Sequence, residues 1–145
     1  MHIEFKGLKQ TIQRFLGIGQ KMNNPKIAVE KIAILGWKNV LNHFDTEQDS
    51  EGASWPRWKY KGARVATRPT KRGGSKLLQD TGRLRGSVYY KTSGKSAIVF
   101  IKLKYAATHN YGDSARNIDK RQFMYLDQAT KDQIKDTYVK LVLKK

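Results

Sequence analysis

The longest predicted helix places the strongest constraint on the fold of this chain. Asn24 and Pro25 are favourable at the N-cap and first position of a helix, and no proline interrupts residues 25–44. The apolar residues of this run lie around most of the helical circumference; they are Ile27, Val29, Ile32, Ile34, Leu35, Trp37, Val40, Leu41 and Phe44. Such a helix is buried on more than one side, either by its own sheet and a further element or by another subunit.

The remaining patterns predict an α+β fold. Residues 77–88 (L-L-Q-D-T-G-R-L-R-G-S-V) predict a short helix or bend followed by a strand, and residues 86–104 predict a β-hairpin. Helical spacing predicts a short N-terminal helix within 1–22, a helical turn over 105–112 and an amphipathic C-terminal helix over 126–141. We expect the long N-terminal helix to pack on a small, curved, mainly antiparallel sheet, with the C-terminal helix beside it and a long basic loop.

Length and composition narrow the class of protein. The 145 residues predict a single domain, 1–145, and the formal net charge of +17 favours nucleic acid, anionic membranes or acidic protein surfaces as neighbours. The absence of cysteine excludes disulfides and thiolate metal sites. The first residues lack a signal-peptide pattern, and no stretch approaches the roughly 18 apolar residues of a membrane span. We therefore expect a soluble protein with no membrane contact.

A long segment between the predicted helix and the sheet separates its charges. Residues 45–51 are acidic and polar, whereas residues 57–76 contain eight Lys and Arg residues and no Asp or Glu. We predict that residues 45–76 form a flexible arm that binds a partner, and we call residues 57–76, its basic part, the basic arm. The candidate binding residues of the whole arm are Trp55, Arg57, Trp58, Lys59, Lys61, Arg64, Arg68, Lys71, Arg72 and Lys76.

Two kinds of partner remain open for this arm. Aromatic rings between cations can bind DNA or single-stranded nucleic acid by base stacking and phosphate neutralisation. Alternatively, the arm orders on a neighbouring protein. The separation of acid from base also suits contacts between unlike patches of two subunits.

The sequence contains only partial matches to the motifs of known enzymes. Asp80-Thr81-Gly82 resembles the D-T-G of dimeric aspartic proteases, in which two carboxylates share a proton, but Arg83 stands where those proteases have Ala or Ser. That makes a protease a remote alternative. The three histidines do not have metal-ligand spacing, so we expect no metal, cofactor or catalytic residue.

Four features in order resemble the virion morphogenesis or tail-completion family of long-tailed, Mu- and P2-like phages. They are a Trp-Pro segment before a basic loop, the L-L-Q-D-T-G-R-L-R-G-S box, Y-A-A-T-H-N-Y-G and R-Q-F-M-Y-L, and they span residues 55–126. The last box departs from the family pattern because Gln122 stands where proline is usual. The matching positions are Leu77, Leu78, Thr81, Gly82, Leu84, Ser87, Tyr105, Ala106, His109, Gly112, Arg121 and Phe123.

The resemblance implies a structural, non-enzymatic virion protein that completes the tail and joins head to tail at the neck. Such a protein would act as a subunit of a homo-oligomeric ring, a hexamer, in contact with neighbouring neck or tail proteins and with DNA in the channel. It would reside in the virion, and in the host cytoplasm during assembly. We further expect Leu77, Leu78, Leu84 and Tyr105 to be core residues of the two boxes.

Overall fold

The computed structural model describes residues 2–4, 25–57, 76–93 and 96–143. The elements in chain order are β1 (His2–Glu4), α1 (Pro25–Thr46), α2 (Arg83–Gly86), β2 (Val88–Ser93), β3 (Ser96–Ile101), α3 (Tyr105–Tyr111) and α4 (Gln128–Tyr138), which continues as a π-helical turn, Val139–Leu143. The short N-terminal helix predicted within 1–22, whose apolar spacing covers residues 8–16, lies outside the described residues.

The chain divides into two compact units. The first unit comprises Val40–Val88 and Ile101–Tyr125, and the second comprises His2–Asn39, Tyr89–Phe100 and Leu126–Lys145. The single-domain interpretation stays a prediction.

The core of the second unit joins a helix, a strand and the C-terminal helix. Ile32 and Ala33 of α1 are buried against Ala97 of β3 and Ile134 of α4. Around them pack five partly buried apolar residues: Val29, Leu35, Tyr90, Leu126 and Tyr138. The predicted packing of the long helix on the sheet, with the C-terminal helix against it, is confirmed, and the α+β class with it.

The sheet has three strands in the order β1-β3-β2. β1 runs antiparallel to β3, with His2 opposite Phe100 and Glu4 opposite Ile98. Alternate residues of β3 are buried, namely Ala97, Val99 and Ile101, as expected for a strand with one face on a core. The predicted hairpin is present, although β2 begins at Val88 because the preceding residues form α2.

Aromatic side chains form much of the core of the first unit. Phe44, near the end of α1, lies 5.0 Å from the ring of Phe123 and 6.0 Å from that of Trp55, measured between centroids. The Trp55 and Phe123 rings lie 6.5 Å apart at an interplanar angle of 71°. Such edge-on and tilted pairs add to the free energy gained from burying apolar area.

The predicted start of the C-terminal helix has a clear structural cause. Asp127 is the N-cap of α4, and its Oδ1 accepts a hydrogen bond from the N–H of Thr130 at 2.6 Å. The other carboxylate oxygen accepts from Nδ2 of Asn39, a buried residue of α1. The cap therefore also fixes α4 to the long helix.

Candidate functional site

Residues 121–125, which we call the central segment, are bonded to several parts of the first unit. The first N–H of the segment donates to the carbonyl of His109 at 2.8 Å. The N–H groups of Phe123 and Met124 both donate to Oδ1 of Asn110, at 3.0 and 2.9 Å. Helix α3, which supplies His109 and Asn110, thus holds the backbone of the central segment in place.

Two further side chains bind carbonyl groups of the central segment. Nδ1–H of His43 donates to the carbonyl of Phe123 at 2.8 Å, and the imidazole stacks on the Tyr125 ring with centroids 3.7 Å apart. Nε1–H of Trp55 donates to the carbonyl of Gln122 at 3.1 Å. The loop after α1 and the last turns of α1 are therefore fixed to the same five residues.

Arg121 is a buried cation that binds the start of the basic arm. Its side chain is 2% exposed, and Nε donates to the carbonyl of Pro56 at 2.9 Å. The terminal nitrogens lie 3.4 Å from the carbonyls of Arg57 and Asp119. Burial lowers the pKa of Arg121 from its ordinary value, while the nearby carboxylate of Asp119 opposes that shift. An arginine suits this place because its guanidinium can donate in several directions at once.

Both ends of the basic arm meet at Glu47. Oε1 of Glu47 accepts from the N–H of Leu77 at 2.6 Å, and Oε2 lies 3.5 Å from Nη1 of Arg57. Glu47 has a φ of 54°, a left-handed conformation that is uncommon for residues other than glycine. One carboxylate therefore joins the residues that precede and follow the segment 58–75.

Asp45 adds a second acidic contact at the end of α1. Its Oδ1 lies 3.5 Å from Nζ of Lys76, and its Oδ2 lies 2.8 Å from Nη2 of Arg85. These exposed pairs contribute little stability individually. Asp45 and Glu47 thus pair with basic residues of their own chain, and the predicted contact between acidic and basic patches of two subunits stays a prediction.

Most family-box residues lie in or beside the core of the first unit. Leu77, Leu84, Ser87, Ala106, Arg121 and Phe123 are buried, whereas Leu78 and His109 are partly buried and Thr81 is exposed. Gly82 and Gly112 have φ values of 68° and 79°, and a Cβ at Gly112 would lie 3.0 Å from the backbone nitrogen of Lys120. Glycine is required there by both conformation and space.

The predicted core position of Tyr105 is wrong. Helix α3 turns Ala106 and Asn110 inward, so Tyr105 is 40% exposed and its ring contacts the edge of His109. The box pattern could not show this, because Tyr and Ala are adjacent and only one of two neighbours on a helix can face the core.

Trp55, predicted to be a partner-binding residue of the arm, is buried in the core instead. Its ring is 4% exposed between Phe44 and Phe123, so it cannot stack on a nucleic-acid base without unfolding that core. Arg57 and Lys76 are exposed and form the ion pairs given above. The other predicted arm residues, Trp58, Lys59, Lys61, Arg64, Arg68, Lys71 and Arg72, lie outside the described residues.

Asp80, the acidic residue of the protease-like motif, has an exposed side chain close to Gly82, the left-handed N-cap of α2.

In the described ranges, no cluster of three or more His, Asp or Glu side chains is arranged to hold a metal ion. No described helix is long and apolar enough to cross a membrane.

Four residues that bind distant segments were not predicted from the sequence: Glu47, His43, Asn110 and Tyr125. Their partners lie between 13 and 80 residues away in the chain, so local patterns carry no signal for them. The left-handed conformation of Glu47 marks that residue as unusual, but this conformation is known only from the fold and cannot be read from the sequence.

His109 is partly buried beside Arg121 and Arg116. Burial lowers its pKa below the ordinary value of 6.5, and the two arginine charges lower it further. The unfolded chain therefore takes up a proton near pH 6.5 that the folded chain takes up only at lower pH, so the free energy of unfolding falls as the pH drops below about 6.5.

We expect His109→Gln to reduce this acid sensitivity. The melting temperature of each protein is measured at pH 7.5 and at pH 5.0. It should fall less between these two pH values in the variant than in the wild type. An equal loss in both proteins would mean that His109 does not contribute to the pH dependence.

Comparison with protein-family models identifies the family of this chain. The model of the phage virion morphogenesis family matches residues 3–142, almost the whole chain. Comparison with curated proteins returned no match, and neither did comparison with solved structures.

Proposed function

The chain belongs to the phage virion morphogenesis family and therefore takes part in building a phage particle, and we propose that it completes the tail and joins it to the head at the neck. The observation that carries the proposal is the family match over residues 3–142, which includes both units. In this role the protein acts by binding neighbours and has no catalytic activity.

The proposed assembly is a homo-oligomeric ring, a hexamer, bound to neighbouring neck or tail proteins. Rings form when unlike surfaces of identical subunits pair head to tail and the rotation closes. Four large apolar side chains of the described residues are exposed: Ile27, Tyr89, Tyr105 and Tyr111. Ile27 and Tyr89, both on the second unit, are apolar groups that contacts between subunits would bury.

The fixed ends of the basic arm support a role for residues 58–75 in binding. Glu47 and Asp45 hold Arg57 and Lys76, and Arg121 binds the backbone at Pro56. The segment between these points carries Lys59, Lys61, Arg64, Arg68, Lys71 and Arg72 without an acidic residue. The residues on both sides of the segment are therefore held on the first unit, and a neighbouring protein with an acidic surface can bind the cations between them.

Nucleic-acid binding by the same segment is the second candidate function. Its positive charge favours this activity, since phosphate neutralisation needs only closely spaced cations. The burial of Trp55 removes one of the rings that would stack on bases. We favour the protein partner because the family membership implies work in particle assembly.

The test replaces the six cations between residues 58 and 75 with serine and leaves the paired Arg57 and Lys76 unchanged. Phage lacking the gene would be complemented with this variant and its particles counted by electron microscopy. We expect a folded protein, heads and tails that are not stably joined, and little change in DNA affinity. The isolated full chain gives the DNA measurement at several salt concentrations.

The matched control replaces six exposed lysines of the second unit, Lys26, Lys31, Lys38, Lys91, Lys131 and Lys135. It removes the same charge and should leave the yield of joined particles near that of the wild type. Normal particles from the arm variant, together with loss of DNA affinity whose salt dependence had a slope of roughly 0.9 per phosphate, would favour the nucleic-acid function instead.

A further inference from the structure

Helix α3 presents two tyrosines on its outward side. Successive residues of an α-helix are about 100° apart, so Thr108 lies opposite the buried pair Ala106 and Asn110. Tyr105 and Tyr111 then lie about 60° to either side of Thr108. They are 40% and 66% exposed, and Tyr111 is the most exposed large apolar residue of those described.

An arginine is fixed over the middle of this outward face. Nη2 of Arg116 donates to Oγ1 of Thr108 at 2.9 Å and lies 2.6 Å from Oδ2 of Asp113, to which Nε also donates at 2.7 Å. The hydrogen bonds from Arg116 hold the pKa of Asp113 below its usual value, so this carboxylate stays charged. Although the Arg116 side chain is 62% exposed, its position is fixed.

The turn that carries Arg116 is itself held by its backbone. Asp113 and Ile118 exchange two hydrogen bonds of 2.8 Å, and Asn117 adopts a left-handed conformation with φ 54°. Gly112 packs without room for a side chain against Ile118 and Lys120. Tyr105, Tyr111 and Arg116 share this face, which we call the tyrosine surface. The backbone of its turn and the Arg116 side chain are held in place before binding, which lowers the entropy lost when a partner binds.

The chemistry of the tyrosine surface favours a protein as its occupant. Tyrosine and arginine are the residue types enriched at binding hot spots. Lys104 and Lys120 are exposed next to α3 and the turn, whereas Asp113 is already paired, so the local charge favours an acidic partner.

We propose that the tyrosine surface is a docking site for an acidic surface of a different protein of the phage particle. A second copy of this chain suits the surface less well, because Asp45, Glu47 and Asp113, three acidic residues of the same unit, are already paired with basic residues of their own chain. The inference rests on the proposed function and adds to it a contact site separate from the basic arm.

Site-specific photo-crosslinking tests the proposal in assembled particles. Benzoylphenylalanine replaces Tyr111 in the full chain, and the matched control replaces Tyr89, an exposed tyrosine of the second unit. Crosslinked peptides are identified by mass spectrometry. We expect Tyr111 to crosslink to an Asp- or Glu-rich segment of another particle protein, with a yield at least five times that from Tyr89 to the same segment. Crosslinks to a second copy or to DNA, equal yields from the two positions, or no crosslink would overturn the proposal.

A second variant gives a functional measurement. Tyr105→Ala with Tyr111→Ala should reduce complete particles at least tenfold while the melting temperature of the isolated chain stays unchanged, since both side chains are exposed. Unchanged particle yield would contradict the proposal. If the crosslinked acidic protein lies away from the neck, the docking site stands and the proposed position at the neck fails.

Discussion

Phe123→Ala is expected to lower the free energy of unfolding by about 3–5 kcal/mol. The Phe123 ring is fully buried, and it contacts both Phe44 and Trp55. Truncation leaves a cavity between side chains that are anchored elsewhere, Trp55 by its bond to the carbonyl of Gln122, so the site cannot easily collapse. A loss of this size is a large share of the 5–15 kcal/mol that typically stabilises a domain.

Urea denaturation of the full chain, followed by tryptophan fluorescence, measures this loss. Phe123→Leu retains much of the volume and should lose less than half as much. Tyr111→Ala, which removes an exposed ring, should change the value by no more than about 0.5 kcal/mol. Equal stability of Phe123→Ala and Tyr111→Ala would show that the aromatic cluster is not a core.

Local patterns in the sequence were sufficient for most helices and strands. The proline at the first position and the long uninterrupted run predicted α1, which ends two residues beyond the expected Phe44. Alternating apolar residues predicted β3, and Gly112 marked the end of α3. Each of these signals depends on neighbours within one or two turns, so the sequence shows it directly.

β1 could not be predicted, because three residues are too few to show an alternating pattern. Its strand conformation follows from pairing with β3, almost a hundred residues later in the chain. The two incorrect site predictions have a related cause. Whether Trp55 and Tyr105 face the core depends on where Phe44, Phe123 and Asn110 lie, which local sequence does not specify.

The family boxes identified segments that lie at the centre of the first unit, but they did not show which other segments those residues bind. In the fold, the box containing Arg121 and Phe123 binds α3, α1 and the loop before the basic arm. The acidic residues that join the ends of that arm lie outside every box. A family pattern therefore indicated the centre of the first unit, whereas its connections became visible only in three dimensions.

Arg121→Ala is expected to destabilise the protein by about 2–4 kcal/mol. The substitution removes a charged donor from the carbonyl of Pro56 at 2.9 Å and two longer contacts, and hydrogen bonds to charged groups are worth about 1.5–3 kcal/mol each. It also removes a long buried side chain that packs along its stem. Urea denaturation measures the change, with Arg83→Ala, an exposed arginine, as the control.

Arg121→Lys distinguishes the geometry of the side chain from its charge. Lysine keeps the positive charge but cannot donate in the planar, forked arrangement that reaches Pro56, Arg57 and Asp119. We expect the free energy of unfolding of Arg121→Lys to lie between the values of the wild type and Arg121→Ala. Proteolysis next to Pro56 and Arg57 should be faster than in the wild type, because the backbone that Arg121 binds is released. If Arg121→Lys matched the wild type in both stability and proteolysis, charge alone would suffice, and Arg121 would not be the group that positions the start of the basic arm.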